Sequence, residues 1–313
     1  MPTPTDPTVP RPGAGARPQD AEQGVIHDIG YRRYTGPRLG RGPVRGALFW
    51  DTFRGCFGLG RAGRAKVMPA VLTVLAVLPA LSVVFFSNAT GRDDLPLTYR
   101  EYLSSITLLA FIYVAGQAPQ AVSRDLRFRT ISLYFSRPMP RGDYVLAKFA
   151  AMAAAVLLFC ALPLLVLYVG ALLGRMPPDE QTPPFLAGLV TALVFAVVLA
   201  GIGLTIAAVT PKRGFGVAAI VTVLLLADSV SGATVAIAAD QHNEAVAWFG
   251  GAISPFSLVD GSLSWMLHLE GGRLDEHAPP GPAAGLLFVA VLAAVLVGNY
   301  LLLSLRYRKV SVS

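Results

Sequence analysis

Six stretches of the sequence are apolar all the way round the helix that each would form. Each is about 20 residues or longer, the length that a helix needs to cross a hydrocarbon core of roughly 30 Å. A helix on a soluble protein would carry a polar face as well as an apolar one. The pattern therefore predicts an all-α membrane protein with six transmembrane helices, at about 67–86, 102–122, 144–173, 185–209, 214–239 and 283–305.

A further apolar stretch at 246–267 is almost long enough to be a seventh span. It contains Asp260 and Pro255, and it carries Trp248 and Trp265 towards its ends. Tryptophan is favoured at the membrane–water interface. We interpret the stretch as one or two short helices in, or dipping into, the outer interface between spans five and six. The alternative of seven spans would place the basic C-terminal tail outside.

Composition and charge agree with a membrane protein and add an orientation. Hydrophobic residues make up 54% of the 313 residues and charged residues only 14%, and the mean hydropathy is +0.56. Of the 26 Lys and Arg residues, 22 lie in the N-terminal tail, the loops after spans two and four, and the C-terminal tail, counting with them Lys148 just inside span three. Because cytoplasmic loops carry the excess of Lys and Arg, both termini are expected in the cytoplasm. The four basic residues of the alternate loops are Arg92, Arg100, Arg175 and Arg273.

The chain before the first span has two parts. A tail rich in Pro, Gly and Arg is expected to be disordered. In the part that follows, aromatic residues such as Phe49 and Phe53 recur at helical spacing, with Arg54 on the opposite face. This favours an amphipathic helix on the cytoplasmic membrane surface, and an extension of span one is the alternative. The predicted organisation is a cytoplasmic tail at 1–43, an interfacial helix at 44–62 and a six-span domain at 63–313.

No motif in the sequence indicates catalysis, a resident cofactor or a metal. The GxxxxGK[ST] phosphate loop is missing, as are HExxH, CxxC and GxSxG, so the chain has no P-loop site of its own for ATP. Cys56 and Cys160 are too few for a disulfide framework or a zinc cluster. The basic charge is explained by topology, so we expect no nucleic-acid partner.

Two polar positions within the spans are candidates for the lining of a pathway. Asp228 is the only acid deep in a span, and a carboxylate at the bilayer centre costs about 2.5–3.5 kcal/mol on insertion scales. It either lines a pathway or forms a hydrogen bond within the bundle, with Ser229 or Ser231 as nearby partners. Gln117 belongs to a polar patch near the cytoplasmic end of span two, where it either contacts cargo or packs against a neighbouring helix.

The segment "SRDLRFRTISLYFSRPMPRGDY" follows span two and holds five arginines among 22 residues. It is predicted to continue span two as a helix until Pro138 and Pro140 end it. A basic loop that fixes topology is one explanation. Arginines beside Phe128 and Tyr134 also suit a surface that docks a partner protein.

This segment, extended to "SRDLRFRTISLYFSRPMPRGDYVLAKF", resembles the first cytoplasmic loop of the membrane subunits of type-2 ABC exporters. One departure is Arg129, where the family usually has glycine. The N-terminal "HDIGYRRYTGPRLGR" and the stretch "ISPFSLVDG" before span six are similar to actinobacterial members. The positions that match the loop pattern are Asp125, Arg127, Thr130, Leu133, Ser136, Pro138, Arg141, Tyr144 and Lys148.

The resemblance implies a multi-pass permease of the plasma membrane without its own motor. Two six-span subunits, as a homodimer or heterodimer, would form the pathway, and a separate ATP-binding cassette subunit would dock on each. The helix after span two would couple the two proteins, and the segment between spans five and six would cap the outer side. The expected coupling residues are Arg124, Asp125, Arg127, Arg129, Tyr134 and Arg137, and the expected pathway residues are Gln117 and Asp228.

Two other classes of function remain as alternatives. In an ion- or proton-driven secondary transporter, Asp228 would be the titrating group, although such carriers need no docking helix. A membrane-embedded enzyme or a scaffold is the other alternative, and the missing catalytic motifs disfavour the enzyme.

Overall fold

The computed structural model describes residues 36, 40–91, 94–127, 140–210, 212–269, 272–274 and 281–310, with side chains for all of these except 123–127, 141 and 308–310. Helices account for most of this part of the chain, and no strand occurs in it. The ten helices of the described ranges are α1 Arg41–Cys56, α2 Arg64–Thr90, α3 Tyr99–Ser105, α4 Thr107–Arg127, α5 Arg141–Leu173, α6 Pro178–Val209, α7 Arg213–Asp240, α8 Glu244–Gly251, α9 Pro255–Leu267 and α10 Pro282–Val310.

Five of these helices, α2, α5, α6, α7 and α10, are long and apolar enough to cross a membrane. The pair α3–α4 passes the same test when its two parts are taken as one broken span, which raises the number to six. Each of the six predicted apolar runs falls within one of these helices or within this pair. The stretch at 246–267 forms two short helices, α8 and α9, and neither is long enough to span.

The second span is bent near the start of the predicted run at 102–122, at a position that the sequence analysis does not identify. Helices α3 and α4 meet at Ile106 and are bent by 54°. Hydroxyl groups supply bonds at the bend, because Ser105 donates to the carbonyl of Tyr102 at 2.6 Å and Thr107 to that of Leu103 at 3.2 Å. Such side-chain bonds compete with the helical ladder. They therefore stabilise the break.

Burial separates central helices from peripheral ones. In the most apolar part of each span, 44% of the residues in α5 and 56% in α6 are buried within the chain, compared with 22% in α2 and 17% in both α7 and α10. The three peripheral helices leave rows of Val, Leu and Phe side chains exposed. An apolar surface of this extent suits lipid or another protein.

The bundle has two ends with different contents. At one, the α1 end, α1 packs on α5, and Arg45 pairs with Asp143 at 3.7 Å. Helix α1 is followed by a tight turn in which Gly58 has φ 70° and Gly60 φ 77°. Added side-chain atoms at Gly58 would lie 2.5 Å from the carbonyl oxygen of Ala65, so this turn requires glycine. The position of α1 on a membrane surface stays a prediction, as does the division into domains.

The opposite end, the α8–α9 end, contains a helix that folds back along a span. Thr234 of α7 contacts Gly250 of α8, and Ser231 donates to the carbonyl of Gly251 at 3.4 Å. The earlier residue of α7, Ser231, meets the later residue of α8, Gly251. Helix α8 therefore runs antiparallel to α7. The turn after α8 thus comes level with Asp228, 12 residues and about 18 Å back from the end of α7.

Helix α9 begins at this depth and is surrounded by protein over its first nine residues. Every residue from Pro255 to Leu263 is buried. Its main neighbours are α6 and α10, and it makes smaller contacts with α7 and α8. A helix buried on all sides needs partners for its polar groups, and those partners form the site described next.

Candidate functional site

A fully buried ion pair joins α3 to α9. The side chains of Arg100 and Asp260 are 2% and 0% exposed. The guanidinium of Arg100 donates from Nε to Asp260 Oδ1 at 3.1 Å and from Nη2 to the same oxygen at 2.5 Å. Nη2 also donates to the backbone carbonyl of Asp260 at 3.2 Å and to the hydroxyl of Ser264. The charge of Arg100 is thus surrounded by oxygen atoms, which a buried guanidinium requires.

The segment 272–274 is threaded against this pair. The backbone N–H of Arg273 donates to Asp260 Oδ2 at 2.7 Å, which occupies the second carboxylate oxygen. A Cβ at Gly272 would lie 2.5 Å from Asp260 Oδ2 and 2.6 Å from Arg100 Nη2, so no larger residue fits without displacing the ion pair. On the other side, Leu274 is buried against Gly251 and Gly261. Polar bonds and apolar packing therefore hold this segment from both sides.

The side chain of Arg273 forms a second ion pair, with Asp228 of α7. Arg273 Nη1 donates to Asp228 Oδ1 at 2.8 Å, and the hydroxyl of Ser254 donates to the same oxygen at 2.7 Å. Ser254 is the N-cap of α9, where it accepts the N–H of Ser257 at 3.4 Å. The positive end of the α9 dipole adds to the attraction for the carboxylate. Asp228 thus has three favourable neighbours: a guanidinium, a hydroxyl and a helix N-terminus.

Together these contacts form one network of charges, named here the cap network and made up of Arg100, Asp228, Ser254, Asp260 and Arg273. Its two acids share Arg273, which binds Asp260 through its backbone and Asp228 through its side chain. The network joins α3, α7, α9 and the segment 272–274. It is therefore a polar connection between the α8–α9 end and the spans.

A polar cavity of about 240 Å³ lies at the α1 end, between α1, the turn after it, α4 and α5. Lys148 is 7% exposed, donates to the carbonyl of Ala121 at 2.9 Å and lies 5.6 Å from the centre of the Tyr144 ring. Arg61 donates to the side-chain oxygen of Gln120. The lining residues are Asp51, Thr52, Gly55, Cys56, Leu59, Gly60, Arg61, Gln117, Gln120, Ala121 and Lys148.

The cavity also contains the thiol of Cys56, whose ionisation reflects two opposed effects. Burial raises the pKa of the Cys56 thiol to about 12, while the positive charges of Arg61 and Lys148 act to lower it. Burial is the larger effect. The thiol is therefore neutral at physiological pH even though two cations lie nearby.

The two predicted pathway residues lie at different ends of the bundle. Gln117 is 2% exposed, lines the cavity at the α1 end and donates to the sulfur of Met68 at 3.9 Å. Asp228 belongs to the cap network. The structure does not bring the two into one site, and their role in a pathway stays a prediction.

The bonds of Asp228 differ from those that the sequence suggests. They run to Ser254 and Arg273, which are distant in the chain, whereas Ser231 donates to the carbonyl of Gly251. Neighbours within the same helix are therefore not what satisfies this carboxylate.

The predicted coupling residues cannot be placed in the same way. Arg124, Asp125 and Arg127 belong to the last turn of α4, whose side chains are outside the described residues. Arg129, Tyr134 and Arg137 lie outside the described part of the chain altogether. Their coupling role stays a prediction.

Four members of the cap network are not predicted from the sequence: Arg100, Ser254, Asp260 and Arg273. A signal for them is present. Arg100 and Arg273 are two of the four basic residues on the predicted outer side, and Asp228 and Asp260 are acids within apolar stretches. An acid within an apolar stretch suggests pairing with one of these arginines, because a buried charge needs a partner.

No group of three His, Cys, Asp or Glu side chains that could hold a metal ion occurs within the described ranges. The network has charges and hydroxyls but no arrangement of nucleophile and base. The arrangement can hold helices together.

An all-helical chain with five to six apolar helices of spanning length defines a multi-span integral membrane protein. Residues 99–309 match the model of the ABC-2 family transporter protein. The match covers about two thirds of the chain, from α3 to the end of α10, and the chain belongs to this family of ABC transporter permeases. No curated protein matches the chain.

Proposed function

We propose that the protein is the membrane-spanning subunit of an ABC-type exporter in the plasma membrane, working with a separate ATP-binding subunit. The observation that carries the proposal is the family match over 99–309 in a chain with five to six apolar spans. The sequence lacks a phosphate loop. ATP hydrolysis is thus assigned to the partner, and the permease is assigned the pathway.

The α1 end is assigned to the cytoplasm. Excess Lys and Arg mark the cytoplasmic side of membrane proteins, and the tails and the loops at this end hold 22 of the 26. Two of the four remaining basic residues, Arg100 and Arg273, are paired with acids inside the protein. The α8–α9 end therefore presents less positive charge than its sequence suggests, which supports placing it outside.

The pathway is assigned to the interface between two such subunits, as a homodimer or a heterodimer. Helices α2, α7 and α10 leave much of their apolar surface uncovered within one chain. Part of this surface is available to a second permease and the rest to lipid. Asp228 and Gln117 are the proposed pathway residues.

Coupling is assigned to the loop at 123–143, through Arg124, Asp125, Arg127, Arg129, Tyr134 and Arg137. ATP binding closes the ATPase dimer, which moves this loop and with it α4. The permease has two arrangements, and the partner shifts the balance between them through its different contacts with each.

A proton- or ion-driven carrier would use Asp228 as its titrating group. The contacts of Asp228 support the exporter instead. Its carboxylate bonds to Arg273 and Ser254, a setting suited to joining α7 to α9 and to the segment 272–274.

The proposal is tested by purifying the tagged chain from native membranes and measuring which ATP-binding subunit accompanies it and whether the complex hydrolyses ATP. Arg127→Glu combined with Tyr134→Ala is expected to lower co-purification of the subunit and its ATPase activity at least severalfold. Arg175→Glu, with the same charge change at the opposite end, serves as the control and should leave both unchanged. Full association and activity in the Arg127 and Tyr134 double variant would show the coupling assignment to be wrong.

A further inference from the structure

We propose that Arg273 is a positioning residue for transport: its ion pair with Asp228 holds α7 against α9, and this pair opens and closes during the transport cycle while Arg100–Asp260 stays closed. The proposal rests on the proposed function and adds to it the part of the permease that moves. It assigns different roles to two ion pairs that meet at one short segment.

The first argument is the difference in burial between the two pairs. The side chains of Arg273 and Asp228 are 31% and 27% exposed, compared with 2% and 0% for Arg100 and Asp260. Two charges that separate in a buried site lose their mutual attraction and gain no hydration in return. Charges that are already partly exposed can be solvated as they separate. The Arg273–Asp228 pair is therefore the one that can open.

The second argument is the depth of the exposed pair. Asp228 lies 15 residues after the start of α7, or about 22 Å along a helix of roughly 42 Å. An ionised side chain at such a depth is costly when it faces lipid and normally faces the bundle interior or a water-filled cavity. The exposed part of the pair is thus directed to water inside the assembly.

The opposite face of α7 has the character of a lipid contact. Leu226 and Val230 lie two residues on either side of Asp228, which places them about 200° round the helix. Their exposed fractions are 61% and 42%, and Ile237 on the same face is 60% exposed. One helix thus separates an apolar exterior from a charged interior.

The third argument is how the contacts divide the α8–α9 end into two groups. Helix α8 packs along α7 through Thr234–Gly250 and Ser231–Gly251. Helix α9 packs on α6 and α10 and is bonded to Arg100. Between the two groups, Trp248 of α8 packs on Phe288 of α10, and the N–H of Ser254 bonds to the carbonyl of Gly251 in the connecting turn. Asp228 adds the side-chain bonds that it accepts from Ser254 and Arg273.

The backbone of Arg273 is held in place, whereas its side chain is partly exposed and has room for another rotamer. Its N–H donates to Asp260, and the next residue, Leu274, is buried. Release of Asp228 therefore requires a rotation of one long side chain and a separation of α7 from the first turn of α9. Arg100–Asp260 keeps the segment 272–274 in place throughout.

The test of water access uses single cysteines and needs neither a cargo nor the ATPase. A Cβ at Gly232 has Arg273 Nη2 as its nearest atom, at 3.9 Å, so Gly232→Cys introduces a thiol beside the pair without a clash. Val230→Cys on the opposite face is the matched control. The probe is a small, charged methanethiosulfonate reagent applied to membranes, and both native cysteines are buried, which keeps the background low.

We expect Gly232→Cys to react severalfold faster than Val230→Cys. Adding Arg273→Gln should accelerate the reaction at position 232 severalfold further, whereas Arg273→Lys, which keeps the charge, should restore the slow rate. Equal labelling rates at positions 232 and 230 would overturn the proposal. So would a labelling rate at position 232 that is the same with Arg, Gln or Lys at position 273.

The test of movement uses a disulfide across the two groups. Asp228→Cys with Ser254→Cys replaces two side chains whose oxygens lie 2.7 Å apart. The control, Thr234→Cys with Gly250→Cys, lies within one group. In the complex with its ATP-binding subunit, oxidation of the first pair should lower ATPase activity severalfold, reversibly on reduction, and oxidation of the control pair should not.

Failure of the proposed function can be distinguished from failure of the proposed movement. If no ATP-binding subunit accompanies the chain, the proposed function fails, and the labelling rates still decide whether Arg273 controls access to the site. If the oxidised disulfide between positions 228 and 254 leaves a competent complex fully active, the proposed function stands and the movement of this pair is excluded.

Discussion

The two ends of the helix bundle differ in the groups that bind their Arg and Lys side chains. At the α8–α9 end, Arg100 and Arg273 each bond to a carboxylate, at 2.5 Å and 2.8 Å. At the α1 end, Lys148 bonds to the carbonyl of Ala121 and Arg306 to that of Ala208, while Arg45 lies 3.7 Å from the carboxylate of Asp143. A carboxylate neutralises the cation that it binds, whereas a neutral carbonyl does not.

This difference has a consequence for the membrane. A cation that is neutralised inside the protein contributes little to the field outside it, whereas one bonded to a carbonyl still does. The pairing at the α8–α9 end therefore lowers the positive charge that this end presents to its surroundings. It also shows that charges at the α8–α9 end serve the joining of helices.

The largest expected effect follows from breaking the buried pair. Asp260→Asn keeps the shape of the side chain but removes the carboxylate that Arg100 binds, and removing one partner of a buried pair typically costs about 3–5 kcal/mol. We expect a large fall in the thermal stability of the detergent-purified protein and in the amount found in membranes. Both are measured by fluorescence-detected gel filtration, the first of them after heating.

The double variant Arg100→Met with Asp260→Leu is the control for that loss. Replacing both charges by apolar groups of similar size is often neutral, so the double variant should recover part of the stability. A single variant as stable as the parent would mean that the pair contributes little to the fold.

A smaller effect is expected from Gly272→Ala, which tests the close approach of the segment 272–274 to the same pair. The new methyl group would lie 2.5 Å from Asp260 Oδ2. Overpacking of this kind typically costs about 1–3 kcal/mol. Gly232→Ala is the comparison, because its nearest contact would be 3.9 Å away. A melting temperature that falls equally in both variants would contradict the tight fit at Gly272.

The spans can be predicted because length and apolar composition determine them locally. Each of the six predicted runs lies within a long helix or within α3–α4. The break at Ile106 is not predicted. Its stabilising bonds come from Ser105 and Thr107, common residues whose hydroxyls bond the backbone in many settings and do not by themselves signal a bend.

The candidate site is predicted in part, and the limit is sequence distance. Asp228 stands out because an acid in a span is costly. Its partners cannot be identified from one sequence, since Arg273 is 45 residues away and Arg100 and Asp260 are 160 apart. Which acid meets which arginine depends on how α8 and α9 fold back, and local pattern does not contain that information.

Loss of the charge of Asp228 in the exposed pair should destabilise the protein less than loss of the charge of Asp260 in the buried pair. Asp228→Asn removes the charge partner of Arg273, but water can solvate the guanidinium, which is 31% exposed. Exposed ion pairs contribute about 0–1 kcal/mol, so the stability loss should be well below that of Asp260→Asn. The same thermal assay compares the two. Equal losses would mean that Asp228 and Arg273 are as isolated from water as Arg100 and Asp260.

The smallest effect concerns the α1 end, where positive charge and burial act on the same thiol. The pKa of Cys56 is raised to about 12, so at pH 8 roughly one thiol in ten thousand is ionised. Thiolate is the reactive form. In a Cys160→Ala background, N-ethylmaleimide should therefore label Cys56 very slowly at pH 8, and rapidly once the protein is unfolded.

Lys148→Gln removes one of the two cations that lower the pKa of Cys56, so it should leave the labelling as slow or make it slower. Fast labelling of the folded parent would mean that the charges of Arg61 and Lys148 outweigh burial, and the α1 end would then hold an activated thiol.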